Sequence, residues 1–211
     1  METNRLHLKN FRMARKAAAK RTTFRHGNLP DALMKAAIRR IEEHGGDSIT
    51  LRDLAQDTGV NHRAIYRHFP DKETLLAEVA ERLWRDFIQH LRKAVANEAP
   101  GEPMLVAAGL AVFTFGRKNK NIFMFATGAY PSLGVRFPRL EAAITEALQI
   151  FVVGFAGTGL APNLVVARAG VYISAMQGLT AQYLHGRLRI APDQANAWMR
   201  DTCSLLIKGL T

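Results

Sequence analysis

The sequence contains a single cysteine, Cys203. One cysteine excludes an intramolecular disulfide and is typical of proteins from a reducing compartment. It lies at helical spacing from Trp198, Thr202, Leu205 and Leu206, which favours a small buried side chain over a nucleophile.

Long uninterrupted apolar runs are also missing. The most apolar stretches, around residues 150–155 and 164–171, are interrupted by glycine, proline and Arg168. Neither gives the roughly 20 apolar residues that a membrane-spanning helix needs. No apolar segment near the start precedes a small-residue cleavage site of a secretory signal. We therefore expect a soluble, cytoplasmic protein that does not contact a membrane.

The patterns of common catalytic and metal sites are not visible. No set of histidine, cysteine and acidic residues has metal-ligand spacing. No nucleophile–base–acid set or phosphate-binding loop appears, so we expect neither a cofactor nor an enzyme. An enzyme acting on small apolar molecules remains a weak rival interpretation.

Acidic residues are scarce, and the imbalance is concentrated at one end. The chain has 29 Lys and Arg against 18 Asp and Glu, a formal net charge of +11. Residues 1–28 hold eight of the basic residues and one acid, Glu2, and so carry seven of the eleven excess charges. Such an arm suits a polyanion such as DNA. A solubilising tail, or a transit peptide poor in serine, are the alternatives.

What the sequence does contain is helical periodicity, without convincing strand alternation. The first predicted helix ends at Gly45 or Gly46. The second begins after Thr50, an N-cap paired with Asp53, and ends at Gly59. A third is predicted from residue 61 to 70, and a long fourth from residue 71 to 95. After a break at residues 97–103, five more helices are predicted: 103–117, 121–129, 138–156, 162–186 and 192–209.

The second and third predicted helices form one recognisable unit, "TLRDLAQDTGVNHRAIYRHF". Ala55 permits a close helix crossing, Gly59 permits a left-handed turn, and Val60 and Ile65 point inward. His62, Arg63, Tyr66 and Arg67 are then left on the outer face. This is how a recognition helix is presented to the major groove of DNA.

Residues 28–76 resemble the DNA-binding domain of the tetracycline-repressor (TetR) family of transcriptional regulators. The apolar first helix, "TLRDLAQDTGV" and above all "AIYRHFPDKETLL" carry the resemblance, which covers about a quarter of the chain. It implies an all-α protein with three parts. These are a basic arm over 1–27, a three-helix helix-turn-helix domain over 28–76, and a helical ligand-binding and dimerisation domain over 77–211 that includes most of the long fourth helix.

The resemblance, together with side-chain chemistry, assigns expected DNA contacts. Arg63 can bond guanine O6 and N7, and Lys72 lies where a helix N-terminus favours a phosphate. Tyr66 can cover the helix junction instead, and Arg67 can be a solvated charge. Asn61 stands where many family members have Ser or Thr, so its base contact is in doubt. The full expected set is Thr50, Asn61, His62, Arg63, Tyr66, Arg67, His68 and Lys72.

The C-terminal part yields broader expectations, because most of its aromatic residues must be core. Some are expected to line an apolar cavity for a small hydrophobic or amphipathic effector. The expected cavity residues are Phe113, Phe123, Phe151, Phe155, Tyr172, Met176, Gln177 and Thr180. Faces of the last two helices are expected to pair into a four-helix dimer interface. The expected interface residues are Gly170, Ser174, Gly178, Trp198, Thr202, Leu205 and Leu206.

The resemblance therefore implies a homodimeric repressor that is released by a small molecule, and we expect it to bind a palindromic operator. The main rival is a sequence-indifferent DNA-binding protein whose affinity comes from the basic arm.

Overall fold

A computed structural model describes residues 29–46, 49–128 and 136–211. The predicted basic arm therefore lies outside the described residues. The predicted all-α fold is confirmed, because every regular element in the described part of the chain is a helix. The helices are α1 Leu29–His44, α2 Leu51–Thr58, α3 His62–Ile65, α4 Lys72–Val95, α5 Glu102–Lys118, α6 Lys120–Ala126, α7 Pro138–Ala156, α8 Pro162–Leu184 and α9 Ala195–Leu210.

Local chemistry accounts for both ends of α2. The Thr50 hydroxyl accepts a hydrogen bond from the Asp53 backbone N–H at 3.1 Å and donates to the Asp53 carboxylate at 2.6 Å. Ile49 and Leu54 flank this cap and are fully buried, as a hydrophobic staple requires. Gly59 ends the helix with φ +67°, a left-handed conformation that favours glycine. The sequence predicted the Thr50 cap, its pairing with Asp53 and the end at Gly59.

Helix α3 is shorter than the sequence predicts. It occupies one turn, and residues 66–68 form a further turn instead of continuing the helix to Pro70. The backbone N–H groups of His68 and Phe69 both donate to the Ile65 carbonyl at 2.9 Å, which tightens the chain. The proline that follows disfavours helical geometry at Phe69, so the helix does not extend to Pro70.

Helix α4 connects the two halves of the molecule. Asp71 caps it by accepting from the Thr74 backbone N–H and hydroxyl, both at 2.7 Å. It packs against α1 and α6 as well as against α5 and α7. A buried carboxylate on this helix, Glu81, pairs with Arg85 at 2.9 Å and with Arg139 of α7 at 3.2 Å.

Helix α5 lies at the centre of the C-terminal bundle and contacts α4, α6, α7, α8 and α9. Gly109 permits the close approach of its neighbours. A Cβ atom there would come within 2.5 Å of the Tyr172 hydroxyl and 2.6 Å of the Cys203 Sγ. Both side chains are fully buried, and burial raises the pKa of each. The expectation of a buried, inert Cys203 agrees with this position.

Three other predicted helix bounds need correction. Helix α6 ends at Ala126 rather than 129, and the next turn tightens, because the Gly128 backbone N–H donates to the Phe125 carbonyl, three residues earlier, at 3.3 Å. Helix α8 ends at Leu184 rather than 186, where Gly186 takes φ +69°. Helix α9 begins at Ala195 rather than 192, because residues 192–194 form a turn.

Helix α8 also satisfies the length and composition of a membrane span. Its best 18-residue window has a mean hydropathy of 1.2, and 28% of that window is buried. The interruption by Arg168 predicted that this stretch is too polar to span a membrane. The mean hydropathy of α8 nevertheless reaches that of a span. This is weak evidence for a membrane, since core helices of soluble proteins pass the same test.

Candidate DNA-binding surface and ligand cavity

The α2–α3 unit presents polar side chains on one outer face. Asn61 caps α3 by accepting from the Arg63 backbone N–H at 2.9 Å. Ile65 is fully buried under the helix, whereas Tyr66 is 48% exposed. His62, Arg63, Arg67 and His68 are exposed as well.

A shallow depression of about 390 Å³ brings several of these side chains together with the ends of two helices. Thr50 and Arg52 come from the start of α2, His62 and Tyr66 from α3 and its following turn, and Lys72 from the start of α4. The rings of His62 and Tyr66 meet edge to face with centroids 5.0 Å apart. Two helix N-termini and two cations at one concave surface form an environment suited to a phosphate.

Sequence reasoning missed Arg52. The signal was available, because an exposed arginine two residues after an N-cap lies at the positive end of the helix. Conversely, the Thr50 hydroxyl already donates to Asp53, so it must exchange that bond before it can donate to a phosphate. Asn61 uses its side-chain oxygen as a cap. Arg63, Arg67 and His68 do not line the depression.

Two acidic residues at the start of α4 form ion pairs with an arginine from the C-terminal half. Asp71 lines the depression and accepts from Arg136 Nη2 at 2.5 Å, while Nη1 of the same guanidinium pairs with Glu73. Hydrogen bonds from Thr74, and then the Arg136 charge, hold the pKa of Asp71 below its usual range. Arg136 therefore connects the segment before α7 to the first turn of α4.

A second concavity, of about 500 Å³, lies among α4, α5, α6, α7 and α8. Three of the expected cavity residues line it: Phe123, Phe151 and Gln177. Gly170 and Ser174, which the sequence assigned to the dimer interface, line it too. The aromatic walls also include Trp84, Phe87 and Phe115, which sequence reasoning did not select.

The other five expected cavity residues lie in the core instead: Phe113, Phe155, Tyr172, Met176 and Thr180. They are fully buried on helix faces that pack against neighbouring helices. The Tyr172 hydroxyl donates to the Leu105 carbonyl at 2.9 Å, and the Thr180 hydroxyl donates to the Met176 carbonyl at 2.7 Å. Their polar groups are thereby satisfied within the protein.

One polar atom at the cavity is not satisfied. Trp84 is 6% exposed, and its Nε1 is buried without a hydrogen-bond acceptor among the described residues. Its ring meets Phe87 at a centroid distance of 5.6 Å, and Phe87 meets Phe115 at 5.0 Å. The indole thus lies in an aromatic cluster along one wall.

The expected interface residues on α8 and α9 occupy mixed positions. A Cβ atom at Gly170 or Gly178 would meet nothing within 4 Å, and Leu205 is 71% exposed. Val171 of α8 is also exposed. Trp198, Thr202 and Leu206 are half-buried; Trp198 packs toward Phe113, and the Thr202 hydroxyl donates to the Trp198 carbonyl at 2.8 Å.

The N-terminal helices are similar to a known protein family. Residues 33–79 match the family described as bacterial regulatory proteins, tetR family. This segment is similar to the tetR family. The match contains most of α1, the α2–α3 unit and the start of α4.

Similar proteins extend the resemblance over most of the chain. The nucleoid occlusion factor SlmA of Marinomonas sp. (strain MWYL1) is 25% identical over 170 residues, which cover 76% of this chain and 85% of that protein. FadR of Bacillus subtilis, solved with stearoyl-CoA, shares 17% identity with a TM-score of 0.66, covering 85% of this chain and 98% of that one.

A TetR variant of Acinetobacter baumannii AYE, solved with minocycline, has the same fold. It shares 20% identity with a TM-score of 0.61, covering 85% of this chain and 94% of that one. At these identities the solved structures show the fold of this chain alone.

Proposed function

We propose that this chain is a tetR-family regulator, a cytoplasmic repressor that binds a palindromic operator as a homodimer and is released by a small molecule. The observation that carries the proposal is the continuity of α4. One uninterrupted helix carries Lys72, which lines the depression beside α2 and α3, and Trp84 and Phe87, which line the cavity. A rigid element that contacts both sites is a physical means of coupling them.

The proposed DNA contacts divide into two kinds. Arg63, on the outer face of α3, reads a base edge in the major groove, with His62 and Arg67 beside it. Thr50, Tyr66 and Lys72 hold phosphates at the depression, to which Arg52 is added from the structure. His68 contacts phosphate as well, and Asn61 acts chiefly by capping α3. The basic arm over residues 1–27 adds sequence-independent charge along the DNA.

Dimerisation through α8 and α9 completes the proposal. One α3 turn per subunit buries too little surface for specific affinity, so two half-sites about one helical turn apart, or a near multiple, are required. Exposed apolar side chains on both helices, including Val171 and Leu205, support a paired surface there.

The ligand-responsive part draws on the apolar cavity. Its volume of about 500 Å³ suits a small molecule. Two structural neighbours were solved with small molecules, stearoyl-CoA and minocycline, in the same fold. We also propose that the chain catalyses no reaction.

A second candidate function follows from the curated relatives, which are named nucleoid occlusion factors. A protein with that role, or a sequence-indifferent DNA-binding protein, would not need a ligand cavity of this size.

Selection of bound fragments from sheared genomic DNA tests the proposal. We expect the recovered fragments to share an inverted repeat at a small number of promoters. Recovery of fragments without a common motif would contradict the repressor and favour sequence-indifferent binding. A common motif found across the chromosome and away from promoters would favour nucleoid occlusion.

A further inference from the structure

The side chains that can bond a ligand in the cavity are concentrated on one wall, that of α8. Ser174 and Gln177 line the cavity three positions apart, so both lie on the same side of this helix. The other polar side chains of the described lining are already engaged or covered. The Thr127 hydroxyl donates to the Phe123 carbonyl at 2.8 Å, and protein atoms cover the Trp84 Nε1.

The two polar side chains on α8 are available to a ligand. Ser174 is exposed and Gln177 is half-buried, and no hydrogen bond joins either side chain to another described residue. Gly170, one turn before Ser174, also lines the cavity, and a Cβ atom there would meet nothing within 4 Å. The α8 wall therefore combines two free polar groups with open space beside them.

The other walls of the cavity are mainly apolar. Their aromatic side chains come from four helices: Trp84 and Phe87 of α4, Phe115 of α5, Phe123 of α6 and Phe151 of α7. None of the described residues that line the cavity is charged. An anion would lose its hydration here without gaining a cation from these residues, whereas a neutral hydroxyl or amide can both donate to and accept from a glutamine amide.

We propose that the cavity binds a largely apolar molecule that carries one neutral hydroxyl or amide group, with that group at α8 and hydrogen-bonded to the Gln177 side chain beside Ser174. The inference rests on the proposed role of the cavity as the effector site. It adds the class of the ligand, its orientation and the residue that selects it.

Equilibrium dialysis of the full-length, DNA-free protein against 4-phenylphenol and biphenyl tests the hydrogen bond, because the two molecules differ only by a hydroxyl. We expect Gln177→Leu to lower the affinity for the phenol relative to the hydrocarbon about tenfold, the scale of one buried hydrogen bond. Gln182→Leu is the control, since Gln182 is exposed on the same helix and does not line the cavity. A ratio of affinities that Gln177→Leu leaves unchanged would overturn the proposal, as would failure of both molecules to bind.

The position and charge of the ligand are tested in the same assay. Gly170→Leu should abolish binding of both molecules, because the leucine side chain would occupy the space beside Ser174. Binding that survives this substitution would place the molecules elsewhere and contradict the inference. Binding of biphenyl-4-carboxylate as tight as that of the phenol would contradict the neutral character of the ligand.

Nuclear magnetic resonance of the ¹⁵N-labelled protein supplies a direct readout. The side-chain amide signals of Gln177, assigned by their loss in Gln177→Leu, should move with 4-phenylphenol and far less with biphenyl. Signals that the phenol leaves in place would overturn the proposal.

Circular dichroism establishes whether the variants fold, and if one does not, the wild-type spectra decide alone. Because no DNA is present, failure here leaves the proposed repressor function to be tested separately by fragment selection.

Discussion

Arg63 and Lys72 differ in the part of DNA that each is positioned to contact. Arg63 is exposed on the outer face of α3, away from the depression, whereas Lys72 lies in the depression at the start of α4. A guanidinium can make two directed bonds to guanine, whereas an ammonium at a helix N-terminus acts mainly as a charge beside a phosphate. The two residues therefore provide a paired test of base reading and phosphate binding.

We expect Arg63→Ala to weaken operator binding by roughly 1–3 kcal/mol and to relax base preference at one position in each half-site. Lys72→Ala should weaken all sequences about equally and lower the salt dependence of binding. Fluorescence anisotropy on an operator and its single-base variants measures both effects. Uniform loss of affinity in both variants would remove Arg63 from base reading.

The ion pair between Arg40 and Asp57 joins α1 to α2 and gives the second residue-scale prediction. Arg40 donates to both carboxylate oxygens, at 2.5 and 2.9 Å. These bonds hold the pKa of Asp57 below its ordinary value of 3.8. Its ionised form therefore stabilises the folded state at pH values above 3.8, and this contribution is lost as the pH falls through the lower folded-state pKa.

Asp57→Asn should accordingly lower the free energy of unfolding at pH 7, with a smaller difference from the wild type below about pH 3.8, where the wild-type carboxylate also protonates. Urea unfolding followed by circular dichroism at both pH values measures the difference. Asp201→Asn, at an exposed position of α9, is the control and should change stability little. An Asp57→Asn difference that is equally large at both pH values would disagree with the ion-pair account.

At the scale of the element, the start of α4 depends on a contact from the other half of the chain. Arg136 pairs with Asp71 and Glu73, which flank Lys72. Without the Arg136 guanidinium, the negative charges of Asp71 and Glu73, beside the proposed phosphate site, would lose this positive partner. Negative charge close to a bound phosphate opposes DNA binding, most strongly at low salt.

We expect Arg136→Gln to reduce operator affinity roughly two- to fivefold at low salt, with a smaller reduction at high salt. Arg92→Gln is the matched control, since it removes one positive charge from a pair with Glu146, which is on α7. Binding isotherms at several salt concentrations compare the two. Equal effects of both variants would show that only net charge matters.

Elements whose ends depend on local chemistry were predictable from the sequence. Thr50, Asp53 and Gly59 define the two ends of α2. Once these ends are known, the helical spacing predicts which side chains around Tyr66 are exposed. The cavity was less predictable. Phe113 and Phe123 are both aromatic residues in apolar helical segments, but Phe113 packs in the core whereas Phe123 lines the cavity. Arg136 was not predictable either, since its partners are more than 60 positions away in the chain. Such contacts depend on how α4 and α7 pack.

At the scale of the whole molecule, symmetry is the property on which operator recognition depends. The proposed dimer brings two recognition helices to one face of the DNA. Leu205 on α9 and Val171 on α8 are exposed apolar side chains that a partner subunit would cover. A charge placed within such a surface would be desolvated without a partner.

Leu205→Glu should shift the protein toward monomer in sedimentation at micromolar concentration and reduce operator affinity in parallel. Val153→Glu provides the control, because Val153 is also exposed but lies on α7. A Leu205→Glu protein that stays dimeric, or a wild-type protein that is already monomeric, would place the interface elsewhere or remove it.

The ratio of affinities for the selected operator and a random duplex of equal length tests the central claim most directly. Both must be measured at the same physiological salt concentration, because non-specific affinity depends steeply on salt. A sequence-reading repressor predicts a preference of about a thousandfold or more for the operator. A ratio near one, with the same salt dependence for both duplexes, would contradict it.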